Sequence, residues 1–157
     1  MDSYEEVNIK ALNCGENAMR RRDFAAVLVG ALVAPAPLLA ADMKILAAGH
    51  LRSGVHEAHG TVEIVGDGAG ARLLRFTDFE VLDGPDLKVW LVKAAGVGSA
   101  ADVVGSEHQS LGALKAATGN QDYVIPASVD PLVFRSVVVW CEQFSVLFAA
   151  AELMPPS

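Results

Sequence analysis

Cys141 has the widest chemical reach of any residue in this sequence. A thiolate can give up an electron, form a mixed disulfide, or ligate haem, copper or another soft metal. It ends the run Val137-Val138-Val139-Trp140-Cys141, where it shares a strand face with Val137 and Val139. Free cysteine is among the most buried residue types, so packing alone also accounts for it. His50, His56 and His59 form a second group. Their spacing matches no zinc or copper template. A metal role would need two of them to converge with Cys141, and surface imidazoles explain them more simply. His108 lies in a polar stretch with no partner in view. Trp90, Tyr123 and Trp140 form a third group. Aromatic rings line cofactor pockets or stack on sugars, but in a sandwich they more often fill the core.

The remaining polar motifs read as turns. Asp83 and Asp86 flank Gly84-Pro85, and Asp86 is expected to bond backbone amides across that turn. Glycoside chemistry needs two carboxylates opposed in a cleft, which turn residues rarely provide. Asn120 and Gln121 read as turn anchors rather than an oxyanion site. No Gly-rich phosphate loop leads into a helix. Ser53-Gly54 lacks the flanking pattern of a nucleophile elbow. Hydrolysis therefore has little support.

The elements that must position these residues are strands. Thr61-Val62-Glu63-Ile64-Val65 alternates with a period of two, with Val62 and Ile64 on one face. Gly66, Asp67, Gly68 and Gly70 make a turn, and Arg72-Leu73-Leu74-Arg75-Phe76 resumes a strand. Leu87, Val89 and Leu91 face one way in the next strand. Residues 94–110 read as a loop of low information, and Leu111-Gly112-Ala113-Leu114-Lys115 as a single helical turn. Asp122-Tyr123-Val124-Ile125 is a short strand ended by Pro126. The run ending at Cys141 is apolar on both faces, which predicts a central strand. Phe144, Val146 and Phe148 alternate in the last strand. Val139, Cys141, Phe144, Val146 and Phe148 are expected to be buried. Short strands with regular turns predict an all-β fold, an antiparallel β-sandwich of jelly-roll-like or Greek-key type, as a single domain over 42–157.

The chain of 157 residues carries a net charge of −7 and is 52 % apolar. From Ala41 onward, four lysines and four arginines stand against eight aspartates and six glutamates. That surplus excludes nucleic acid, whose phosphates need clustered Lys and Arg. It also argues against an anionic membrane surface. The N-terminal part reads as a leader. Arg20, Arg21 and Arg22 precede an apolar run from Ala25 to Ala41 that closes on Leu38-Leu39-Ala40-Ala41, an imperfect cleavage site, the layout of a secretory signal. Arg21-Arg22-Asp23-Phe24 is similar to a twin-arginine export signal. The run is near the lower limit for a spanning helix and contains Gly30, Pro35 and Pro37, so 19–41 is a signal peptide or an uncleaved anchor. Residues 1–18 are acidic where a signal should be basic, which points to a non-native extension and a true start at Met19. Cys14 would be lost with the leader, leaving Cys141 alone and no internal disulfide. The expected location is periplasmic or extracellular, with membrane contact only through an uncleaved leader.

Several motifs carry a resemblance. Gly84-Pro85-Asp86-Leu87-Lys88-Val89-Trp90-Leu91 resembles the Gly-Pro-Asp-Leu signature of the DM-thirteen domain family, the Skeletor-type domain. The likeness continues in Leu111-Gly112-Ala113-Leu114-Lys115, in Gly119-Asn120-Gln121-Asp122-Tyr123-Val124-Ile125-Pro126, and in the segment from Val139 to Phe148. His56 with Gly60, and Phe76 with Phe79, also fit. Leu51, Ala116 and Ala149 depart from the pattern. The resemblance covers roughly 47–153 and implies a β-sandwich of a kind that accompanies haem-binding and cytochrome-like membrane domains. It implies electron transfer through the family's cysteine position, which falls on Cys141, acting as a bare thiol or through a bound prosthetic group. On this reading Cys141 is the catalytic residue, Cys141 and His56 are the candidate cofactor ligands, and haem or a copper-type metal is the candidate cofactor. The partner would be a membrane or periplasmic redox protein. The competing expectation is a non-catalytic cell-envelope binding or adhesion module that works through loops 93–110 and 116–122 with Cys141 inert.

Overall fold

The computed structural model describes residues 42–156. The expectations about the leader, the start at Met19 and Cys14 lie outside the described residues. In chain order the elements are β1 (Lys44–Ser53), β2 (Ala58–Gly66), β3 (Arg72–Val81), β4 (Leu87–Val92), α1 (Ala100–Val104), β5 (His108–Ala113), β6 (Thr118–Ile125), a 3-10 turn (Pro131–Val133), β7 (Ser136–Cys141) and β8 (Val146–Glu152). The eight strands form one antiparallel sheet in the order β5-β4-β7-β8-β1-β2-β3-β6. The sheet curls into a nearly closed barrel, as the all-β, sandwich-like expectation required.

Strand β1 makes the curl possible. Its first part pairs with β2 through Lys44 to His50, and its last part pairs with β8 through Leu51 to Ser53. One strand thus passes from one half of the barrel to the other. The ends of the sheet, β5 and β6, are joined by residues 114–117. The Leu114 N–H donates to Leu87 O at 2.7 Å and the Val81 N–H donates to Ala117 O at 2.9 Å, which ties this connection to β4 and β3. The buried Tyr123 hydroxyl donates to Gln121 Oε1 at 2.8 Å and accepts from the Lys115 N–H at 2.9 Å. Gln121 Nε2 in turn donates to Ala116 O at 2.9 Å. Burial raises the Tyr123 pKa, against the smaller lowering by the Lys115 amide, and keeps the phenol protonated as a donor.

The interior is filled by alternate residues of every long strand. Val62, Ile64, Leu74, Phe76, Leu87, Val89 and Leu91 all point inward, as their period of two required. A second apolar cluster lies on the outer face of β4, β7 and β8. Trp90, Val92, Val138, Trp140, Leu147 and Ala150 are covered there by Val97 and Val103 of the 93–107 connection. Both faces of β7 are therefore buried, which explains its unbroken apolar run.

Three local expectations are corrected. Leu111 to Lys115 do not form a helical turn; β5 runs to Ala113 and pairs with β4. Residues 94–110 are not featureless, since they hold α1 and the outer cover. Phe144 is exposed, 62 % accessible, and Val146 only half-buried, while Val139, Cys141 and Phe148 are buried as expected. Phe144 is exposed because the strand begins only at Val146, and a bulge further along β8 breaks the alternation there. Val139 pairs with Ala149 but Trp140 pairs with Leu147, so Phe148 is an extra residue. The bulge sends both Phe148 and Ala149 inward.

Candidate functional site

Antiparallel pairing brings four connections to one end of the barrel: 54–57, 82–86, 114–117 and 142–145. The segments that carry the family resemblance meet here, although the sequence separates them widely. Cys141 is the last residue of β7 at this end. It is fully buried and belongs to the inner core with Val137 and Val139. Its direct neighbours across the ladder are Leu87, the last residue of the Gly-Pro-Asp-Leu motif, and Val146. His56 lies in the 54–57 connection and is exposed, with its ring 4.8 Å from that of Phe148.

Two glycines allow this packing. A Cβ at Gly84 would lie 3.0 Å from Phe148 Cζ and 3.1 Å from Leu87 Cδ2, so the 82–86 loop rests directly on both side chains. A Cβ at Gly54 would lie 2.2 Å from Leu147 O, too close for any other residue. There β1 and β8 continue their pairing, with the Gly54 N–H donating to Phe148 O at 2.9 Å. His56 meets Phe148, Cys141 pairs with Leu87, and the loop at Gly84 rests on both Phe148 and Leu87.

The turn chemistry is partly as expected. Asp83, not Asp86, accepts from a backbone amide, that of Gly84 at 2.9 Å. Asp86 instead binds Lys88 Nζ at 2.7 Å, and Glu142 stands 3.7 Å from the same ammonium. The Asp86 hydrogen bond, more than the coulombic attraction of Glu142, holds the Lys88 pKa above its ordinary value. Asn120 is not a turn anchor: it lies in β6, and its Oδ1 accepts at 2.9 Å from the N–H of Asp78, the residue with φ of 49° at the irregularity in β3. His59 faces Glu80 at 3.5 Å, and His50 Nδ1 lies 3.3 Å from Thr61 Oγ1. The three histidines therefore do not gather at one point.

Haem and copper do not fit the donor set around Cys141. Its sulfur lies among apolar side chains, whereas a copper-type centre needs several donors about one point. Among the described residues, no group of three or more His, Cys, Asp or Glu is arranged to hold a metal ion. The cleft beside His56, about 370 Å³, is lined by Glu57, His59, Glu80, Val81, Leu82 and Asp83. Those walls are acidic, and a macrocycle needs mostly apolar ones.

The sequence reading missed one arrangement. Trp90 and Trp140 lie on the outer face of neighbouring strands, with ring centroids 5.5 Å apart and planes 29° apart. His108, which had no partner in the sequence, stacks on Trp90 at 4.0 Å with an angle of 9°. The signal was present. Trp90 alternates with the inward Val89 and Leu91, and Trp140 with Val139 and Cys141, so both had to face outward and needed a cover.

Comparison with known proteins gives one match. The family model described as electron transfer DM13 matches residues 50–153. No curated protein and no solved structure matches.

Proposed function

The chain belongs to the electron transfer DM13 family, and from that we propose that it is an exported electron-transfer module whose redox group is the bare thiol of Cys141. The observation that carries this reading is the convergence of the motif-bearing loops on the end of the barrel where Cys141 sits. Its burial selects the kind of chemistry. Disulfide exchange requires a second sulfur to approach in line, which a closed core forbids. A single electron crosses packed protein without the donor being touched. The family's alternative, a prosthetic group held by Cys141 and His56, lacks a donor set here.

The surface of this end supports docking of a protein partner. Val55, Leu82 and Phe144 are exposed apolar tips on three of its loops. Glu57, Asp83 and Glu142 lie among them. A small apolar patch in an acidic rim suits a transient partner with a basic rim, such as a membrane or periplasmic redox protein. The leader-like segment with Arg21-Arg22-Asp23-Phe24 supports export. The same exposed tips would equally serve a binding module with an inert cysteine.

Electron exchange with one-electron oxidants strong enough to turn a thiol into a thiyl radical, yet too weak to form the tryptophan radical cation, separates the two. The Cys141→Ala variant should keep its fold and lose the exchange. A variant that exchanges electrons as fast as the parent would leave the binding module as the better account.

A further inference from the structure

We propose that His108, Trp90 and Trp140 form a one-electron relay that connects the outer surface of the barrel to the strand end that bears Cys141. Three observations carry it. The rings are in stacking contact in series, His108 on Trp90 at 4.0 Å and Trp90 near Trp140 at 5.5 Å. His108 is exposed, whereas Trp90 and Trp140 are 8 % and 3 % accessible, so the series runs from solvent into the protein. Trp140 is covalently joined to Cys141, which faces the other side of the same strand.

A fourth observation is a polar atom without a partner. Trp90 Nε1 is buried and has no hydrogen-bond acceptor among the described residues. A buried indole N–H ordinarily finds one, because leaving it unpaired forfeits the hydrogen bond it makes with water in the unfolded chain. The consequence for redox chemistry is specific. An oxidised indole normally sheds its Nε1 proton to an acceptor and becomes a neutral radical, which traps the charge. At Trp90 there is no acceptor, so the radical cation keeps its proton and stays able to pass the charge on. At Trp140, the cross-strand neighbour Lys88 is already neutralised by Asp86 and Glu142. No unpaired cation there opposes a positive charge on the ring.

The step balances as follows. A strong one-electron oxidant at the His108 face takes one electron from Trp90, which becomes a radical cation. An electron from Trp140 refills Trp90, and the radical cation moves to Trp140. No bond between heavy atoms forms or breaks, and no proton leaves Trp90. Refilling of Trp140 by Cys141 turns the thiol into a thiyl radical; the sulfur is fully buried, so its proton leaves for water only when the strand end opens, and this is the slow step of the sequence. That last step rests on the reading of Cys141 as the redox group; the stack itself does not.

The test is flash photolysis with a ruthenium tris-diimine photo-oxidant and a sacrificial acceptor. The chain has two tryptophans and both are in the stack, so any tryptophan signal reports on it. The parent protein should show the radical-cation band, with a yield independent of pH across neutrality. Its lifetime should lengthen in Cys141→Ala. Trp90→Phe should slow oxidation by an order of magnitude or more, because the bridge from the surface is removed. Should that variant fail to fold, Trp140→Phe serves: it should form the Trp90 radical cation with a lifetime no longer sensitive to Cys141→Ala. A neutral-radical band from the outset, or Trp90→Phe oxidised as fast as the parent, would overturn the relay. An intact radical-cation signal that Cys141→Ala leaves unchanged would keep the relay and remove Cys141 as its donor.

Discussion

Cys141 shows how one residue divides packing from function. Its face, shared with Val137 and Val139, was legible from alternation alone, and the structure buries it fully on that side. Its surroundings make the choice of substitution important. Cys141→Ala removes one sulfur from an apolar core and should cost about 1 kcal/mol, an ordinary loss for a point change. Cys141→Ser places a hydroxyl where the neighbours across the ladder are Leu87 and Val146. An unpartnered buried hydroxyl should cost about 1–3 kcal/mol. Urea unfolding of the two variants checks this ordering, and a serine variant as stable as the alanine variant would mean that a polar group lies near the sulfur. His108 is the opposite case. Nothing in its sequence neighbourhood names Trp90, because the stack is diagonal across two strands and depends on the β4 to β5 register.

At the level of elements, alternation located β2, β3 and β4, and a run apolar on both faces located β7; β1 and β5 were not legible as strands, and two further features escaped. A bulge adds one residue without changing composition, so the inward placement of both Phe148 and Ala149 could not be read from the sequence. The 93–107 connection is small and polar overall, and only Val97 and Val103 mark it as a cover. What holds that cover is capping chemistry. Ser99 and Asp102 form a capping box at α1, with Asp102 Oδ2 accepting from Ser99 Oγ at 2.8 Å and the Ser99 N–H at 2.9 Å. Glu107 binds Lys93 at the other end of the connection. The Ser99 hydroxyl, followed by the Gly98 and Ser99 amides, holds the Asp102 pKa below its ordinary value, and Lys93 does the same for Glu107. A carboxylate depressed in the folded state stabilises it above the ordinary carboxylate range, and that contribution disappears as pH falls through the folded value. Acid should therefore loosen the cover, and tryptophan emission, which comes only from Trp90 and Trp140, should shift to the red over that window. Asp102→Ala should show part of that shift already at neutral pH. Emission of that variant identical to the parent's at every pH would show that the capping box does not hold the cover.

At the scale of the whole molecule, the fold class was legible because strand length and turn spacing leave few alternatives to a sandwich or barrel. The site was legible as a set of motifs but not as a place. Only the antiparallel order of the strands brings 54–57, 82–86, 114–117 and 142–145 to one end, and only the Tyr123 and Gln121 hydrogen bonds fix the connection that joins the two edge strands. The two routes we propose for an electron are an end with exposed apolar tips beside the thiol and an outer aromatic stack behind it. The central claim is that the electron comes from Cys141. The measurement that tests it most directly is electron stoichiometry against thiol count, in a Cys14→Ser background. The protein is oxidised with a measured amount of a one-electron oxidant strong enough to form a thiyl radical and then denatured in a thiol-labelling reagent. The free thiol should disappear in step with the oxidant consumed. Oxidant consumed while one thiol per chain remains would place the redox group elsewhere and contradict the account.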